Sequence, residues 1–116
     1  MALRDLTGAV DFAVLEAVTG GDGISEEVLG LFTQQAALWS PMLDVRDEGW
    51  RDAAHTLRGA AAGIGAGPLA EACQAAEAAD KAGAPPLLDR VHDALEAALA
   101  DVASYRHELM LRSLRS

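Results

Sequence analysis

Residues 50–64 separate into an apolar side and a wet side only if they are wound as a helix. At about 100° per residue, Trp50, Ala53, Ala54, Leu57, Ala60, Ala61 and Ile64 fall within roughly 60° of one line. His55 lies opposite that line, with Glu48, Arg51, Asp52, Arg58, Gly59 and Ala62 on its side. The segment therefore buries one face and holds the His55 imidazole in water. Gly59 and Ala62 follow one and two turns on, so the wet stripe turns small beside the histidine. Another protein's surface can approach closely there.

The rest of the chain fits the same architecture. It is 51% hydrophobic but only 4% aromatic. Much of the apolar content is alanine, the strongest helix former. β-branched residues are few, so a sheet is not expected. A short helix is predicted around Asp11–Val18, closed by Gly20-Gly21. Ser25 is the expected N-cap of a second helix, with Glu26 and Glu27 in its first turn. That helix should run to about Leu43 on a stripe of Val28, Leu31, Phe32, Ala36, Trp39 and Leu43. Pro41 interrupts the stripe, so a kink or break is expected there.

The His55 helix is predicted over about Asp47–Ile64, ended by Gly65-Ala66-Gly67. Pro68 suits the first turn of a helix reaching about Lys81, with Leu69, Ala72, Cys73 and Ala76 inward. Gly83 and Pro85-Pro86 mark a further turn. The last helix should start near Pro86 and continue towards Leu114. Its stripe is Leu88, Val91, Leu95, Ala98, Leu99, Val102 and Leu109. The reading is all-α: an antiparallel four-helix bundle with a short N-terminal capping helix, one domain over residues 1–116.

Charge and cysteine usage narrow the function. A net charge of −9 argues against nucleic acid, which needs a basic face. No apolar run reaches the roughly 18–20 residues of a membrane span, and no signal-peptide pattern opens the chain. The single Cys73 rules out an internal disulfide and fits a reducing, cytoplasmic setting. Cys73 points inward and reads as packing. His92 and His107 lack metal-ligand spacing and are expected at the surface, as are Arg46 and Arg51. Met1 and the terminal Ser116 favour a free small protein, expected to be a monomer.

From His55 to Glu77 the residues resemble the histidine-containing phosphotransfer (HPt) family. The family pattern is His-x-Leu-Lys-Gly-small-small, then Leu/Ile-Gly-Ala, then Leu, Cys and Glu. Here it reads His55, Leu57, Arg58, Gly59, Ala60, Ala61, Ile64, Gly65, Ala66, Leu69, Cys73 and Glu77. Arg58 replaces the commoner lysine. Ala60 and Ala61 stand where serine is frequent, and Ala76 where a larger aliphatic is usual.

The resemblance implies a phosphorelay carrier in two-component signalling. Its His55 would accept a phosphoryl group on Nε2 from a receiver domain's phospho-aspartate and pass it to another receiver. Arg58 would support the phosphoryl charge and Gly59 would give clearance for receiver docking. Partners would be response-regulator receiver domains and a hybrid histidine kinase. No cofactor is expected on this chain, since Mg2+ belongs to the receiver. No kinase activity of its own is expected either.

Two alternatives compete with that reading. A histidine-kinase dimerisation domain is also helical with an exposed histidine. It usually carries an acidic residue directly after the histidine and a proline a few positions on, where this chain has Thr56 and Ala60. A non-catalytic helical adaptor would keep the fold without needing His55. Incubation with a phosphorylated receiver separates the three.

Overall fold

Short connections force successive helices to fold back on one another. The structure, a computed structural model, describes residues 6–115. It contains α1 (Phe12–Thr19), α2 (Asp22–Trp39), α3 (Trp50–Ile64), α4 (Gly67–Ala78) and α5 (Ala84–Arg115). The described residues contain no strand. Helices α2 to α5 form a ring in which α2 touches α3 and α5, and α4 touches α3 and α5. Helix α1 sits on α2 and α3. Side-chain partners show the antiparallel sense. His55 on α3 meets Glu77, while Arg51, a turn earlier, reaches Ala79. On the other side Arg106 of α5 pairs with Glu26 of α2, and Arg112 with Asp22. The result is the antiparallel four-helix bundle with its short N-terminal helix.

Alanine sets the spacing of the core. Ala53, Ala54, Ala61, Ala76, Ala84 and Ala98 are each 0% exposed, beside Leu15, Leu29, Leu57 and Val91. Small side chains let helix axes approach, and the leucines supply most of the hydrophobic driving force, about 1.5–3 kcal/mol each. The predicted α5 stripe is buried apart from Leu99, which is half-buried. Pro85 and Pro86 do not precede α5. They stand inside its first turn, where a missing N–H goes unnoticed.

Helix α2 departs most from expectation. It begins at Asp22, so Ser25 is not its N-cap. Ser25 lies on the inward face, 1% exposed, with its hydroxyl 2.7 Å from that of Thr19. That partner satisfies the buried oxygen. Leu31, expected inside, is 59% exposed, and the buried line is Ser25, Leu29, Phe32 and Ala36. Phe32, Ala36 and Leu43 of the expected stripe are buried and Val28 and Trp39 half-buried, so Leu31 is the one member that faces out. The break at Pro41 is real: α2 stops at Trp39 and Ser40–Met42 form a 3-10 turn. Helix α3 starts at Trp50 rather than Asp47, and α4 ends at Ala78 rather than Lys81.

The segment before α1 is pinned by a buried acid. Asp101 is 0% exposed within α5. Its carboxylate accepts from the Thr7 and Ala9 N–H groups and from the Thr7 hydroxyl at 2.8–3.0 Å. The Asp11 N–H then donates to the Gly65 carbonyl at 2.8 Å. Gly65 has φ +83°, and a Cβ there would lie 2.3 Å from the Asp11 carbonyl oxygen. Only glycine both ends α3 in that conformation and admits the incoming chain. Residues 1–5, part of the N-terminal stretch considered above, lie outside the described residues, as does Ser116.

Candidate functional site

The buried face of α3 dictates where His55 points. Trp50, Ala53, Ala54, Leu57, Ala61 and Ile64 are all buried. The opposite side must face solvent, and the His55 side chain is 62% exposed. On α4, Leu69, Cys73 and Ala76 face the core and leave Glu77 half-buried at the seam with α3.

Glu77 orients the imidazole. Its Oε1 lies 2.7 Å from His55 Nδ1. An ionised carboxylate only accepts, so the proton of this contact sits on Nδ1. In the neutral ring the lone pair is then on Nε2, directed to solvent. Arg58 completes the cluster. Its Nη1 is 3.2 Å from Glu77 Oε2, and its Nη2 is 3.3 Å from His55 Nδ1. A guanidinium has no acceptor and Nδ1–H has no free lone pair, so the second approach is proximity, not a second hydrogen bond. The Glu77 carboxylate thus lies between the Arg58 guanidinium and the His55 ring.

Glu77 was absent from the residues singled out for a role, although it stands in the family pattern. It is 22 positions from His55, and no local spacing links the two. The face beside His55 is open. Gly59 and Ala62 are exposed, and no atom lies within 4 Å of a Cβ built on Gly59. Cys73 is fully buried, and burial with the nearby Glu77 charge pushes its thiol up to about 11. It is therefore inert packing. His107 is exposed as expected. His92 is not a free surface residue: it is half-buried, with Nε2 3.0 Å from the Leu43 carbonyl oxygen. That contact ties α5 to the chain after the 3-10 turn. Arg46 is solvated and paired with Asp44 at 2.6 Å. Arg51 is more engaged than a solvated charge, donating to the Glu77 and Ala79 carbonyls at 3.1 and 2.9 Å.

A helical bundle that displays one carboxylate-oriented histidine, with small residues beside it, is built to carry a group that a partner protein delivers. The model of the Hpt domain family matches residues 26–103, and the chain belongs to that family. Its structure is similar to the crystal structure of the histidine phosphotransferase ShpA from Caulobacter crescentus, with a TM-score of 0.81. The two are 53% identical over 92% of this chain and 99% of that chain. No curated protein sequence matches. The chain is accordingly a phosphorelay carrier of two-component signalling. No helix among the described residues is long and apolar enough to cross a membrane.

Proposed function

We propose that His55 is the phosphoacceptor and that the phosphoryl group resides on Nε2. The 2.7 Å contact between His55 Nδ1 and Glu77 carries this reading. It supplies the tautomer in which the exposed nitrogen is the nucleophile. The Nε2 lone pair attacks the phosphorus of a receiver's aspartyl phosphate in line. The N–P bond forms, the P–O bond to aspartate breaks, and the aspartate leaves as carboxylate. The ring gains positive charge while keeping its Nδ1 proton, and Glu77 offsets that charge. Transfer to a second receiver runs the same step backwards. The receiver brings the aspartate and the magnesium ion.

Arg58 supports the phosphoryl oxygens in this scheme. Its guanidinium rests against Glu77 on the Nδ1 side, so it serves the phosphoryl group by swinging its flexible stem towards Nε2. Gly59 gives the receiver room to approach. On α2, Glu26 and Gly30 face α5 through Arg106. At about 100° per residue Leu31 then falls on the flank nearer α3, where its exposed side chain adds apolar docking area. The carrier acts as a monomer in the cytoplasm, with a hybrid histidine kinase upstream.

The test is transfer from a phosphorylated receiver to the His55→Gln protein. Loss of an acid-labile, base-stable label is the expected result. Undiminished labelling would rule out His55. A protein that folds and binds receivers but takes no phosphate in wild-type form would instead favour the adaptor reading.

A further inference from the structure

Helix α4 ends on one backbone bond of its own, from the Ala79 N–H to the Ala76 carbonyl at 3.2 Å. Its last turn contains no basic residue, and it stops at an extended Ala79. The terminal carbonyls of a helix lack intrahelical donors and carry partial negative charge. Arg51 of α3 supplies both the donors and the cation. Its Nε–H donates to the Glu77 carbonyl at 3.1 Å and its Nη2–H to the Ala79 carbonyl at 2.9 Å. The guanidinium also lies over the Trp50 ring at 4.4 Å from the centroid, and Trp50 is buried. The cation is thus held between a fixed aromatic face and the end of α4.

The residue gripped by its backbone is the one whose side chain holds the histidine. Arg51 and His55 are four apart, one turn along α3, so both face the same last turn of α4. Arg51 takes the main chain of Glu77, and His55 takes its carboxylate. Sliding or fraying of that turn would carry Oε1 away from Nδ1.

We infer that Arg51 is a positioning residue for phosphotransfer, locking the last turn of α4 so that Glu77 stays in register with His55. The inference rests on His55 being the phosphoacceptor, but its first readout needs no phosphate. Nitrogen-15 shifts of the His55 ring report which nitrogen carries the proton. Wild type should show the proton on Nδ1.

Arg51→Met keeps a long unbranched side chain beside Trp50 and removes the donors and the cation. It should melt near the wild-type temperature, move the ring towards the Nε2–H form, and slow transfer about three- to tenfold. Arg51→Lys keeps the cation and loses the fork, so it should recover part of both losses. In a double-mutant cycle, Arg51→Met should add nothing to Glu77→Ala. An unchanged tautomer and rate in Arg51→Met would overturn the inference. So would an Arg51→Met effect that persists undiminished on the Glu77→Ala background. A tautomer shift with His55→Gln still labelled would fault the phosphoacceptor assignment and leave the positioning geometry standing.

Discussion

His55 Nδ1 and Glu77 Oε1 meet at 2.7 Å across the α3–α4 seam, although 22 positions separate them in the chain. The contact does two things for the imidazole. It fixes the proton on the inner nitrogen, and in the proposed transfer it places a negative charge where positive charge would develop on the ring. Removing the carboxylate should therefore harm chemistry more than folding. Glu77→Ala is expected to slow phosphotransfer about tenfold, by analogy with outer partners of metal-bound histidines. Glu77→Gln should fall between, since an amide oxygen still accepts from Nδ1–H but carries no charge. Stopped transfer assays alongside thermal melts check both. Wild-type rates in Glu77→Ala would show that the contact orients nothing that matters.

Arg58 balances the same carboxylate and lies 3.3 Å from the ring. Arg58→Ala should slow transfer or shorten the phosphohistidine lifetime about three- to tenfold, with the fold intact. Arg58→Lys should be milder, because it keeps the charge. Decay of phosphorylated protein in the absence of receiver separates lifetime from docking. Equal lifetimes and rates in wild type and Arg58→Ala would return this residue to the solvated surface.

Gly59 separates docking from chemistry. A Cβ there meets nothing within 4 Å, so Gly59→Ala meets no steric objection. It should raise stability by up to about 1 kcal/mol through helix propensity alone. Gly59→Glu should melt near wild type while losing receiver binding and phosphotransfer together. A titration with receiver measures the first and a labelling time course the second. Wild-type transfer by Gly59→Glu would place the docking surface elsewhere.

Asp101 should matter for stability and not for chemistry. Its buried carboxylate satisfies three donors from the segment before α1. Asp101→Ala leaves those donors without it and opens space in the core. A loss of about 1–3 kcal/mol is expected from denaturant unfolding, with transfer from receiver unchanged below the transition. Hydrogen exchange at Thr7 and Ala9 should accelerate first.

Tyr105 gives a pH signature. It is the chain's single tyrosine, stacked on Phe12 at 4.0 Å between ring centroids. Burial, then its hydrogen bond to the Glu16 carboxylate, raises the phenol to about 12. The folded value is above the ordinary phenol value of 10.0, so the contribution to stability is full below pH 10. It is lost as pH rises from 10 towards about 12. An ultraviolet titration should find the phenol ionising well above 10 in folded protein, and Tyr105→Phe should flatten the alkaline decline in stability. Ionisation at 10 in the folded state would contradict the packed environment.

The helix count, the α3 face and the exposure of His55 were legible because they are local. A helical period of about 3.6 residues turns Trp50, Ala53, Ala54, Leu57, Ala61 and Ile64 into one face, wherever that face is later buried. Glycine and proline punctuation located the connections to within a few residues, and Pro41 marked the end of α2. The run from His55 to Glu77 carried the family as well. On α2 the periodicity points to Leu31 as inward and passes over the buried Leu29, because each stands three or four residues from other apolar positions of the helix. Which of the two is buried depends on where the neighbouring helices stand. Tertiary structure alone decided the polar contacts between segments: Glu77 on His55, Arg51 on the end of α4, and Asp101 on Thr7 and Ala9. Each joins residues on different segments. A polar side chain's partner is set by the packing of helices against each other, and a one-dimensional period carries no information about that distance.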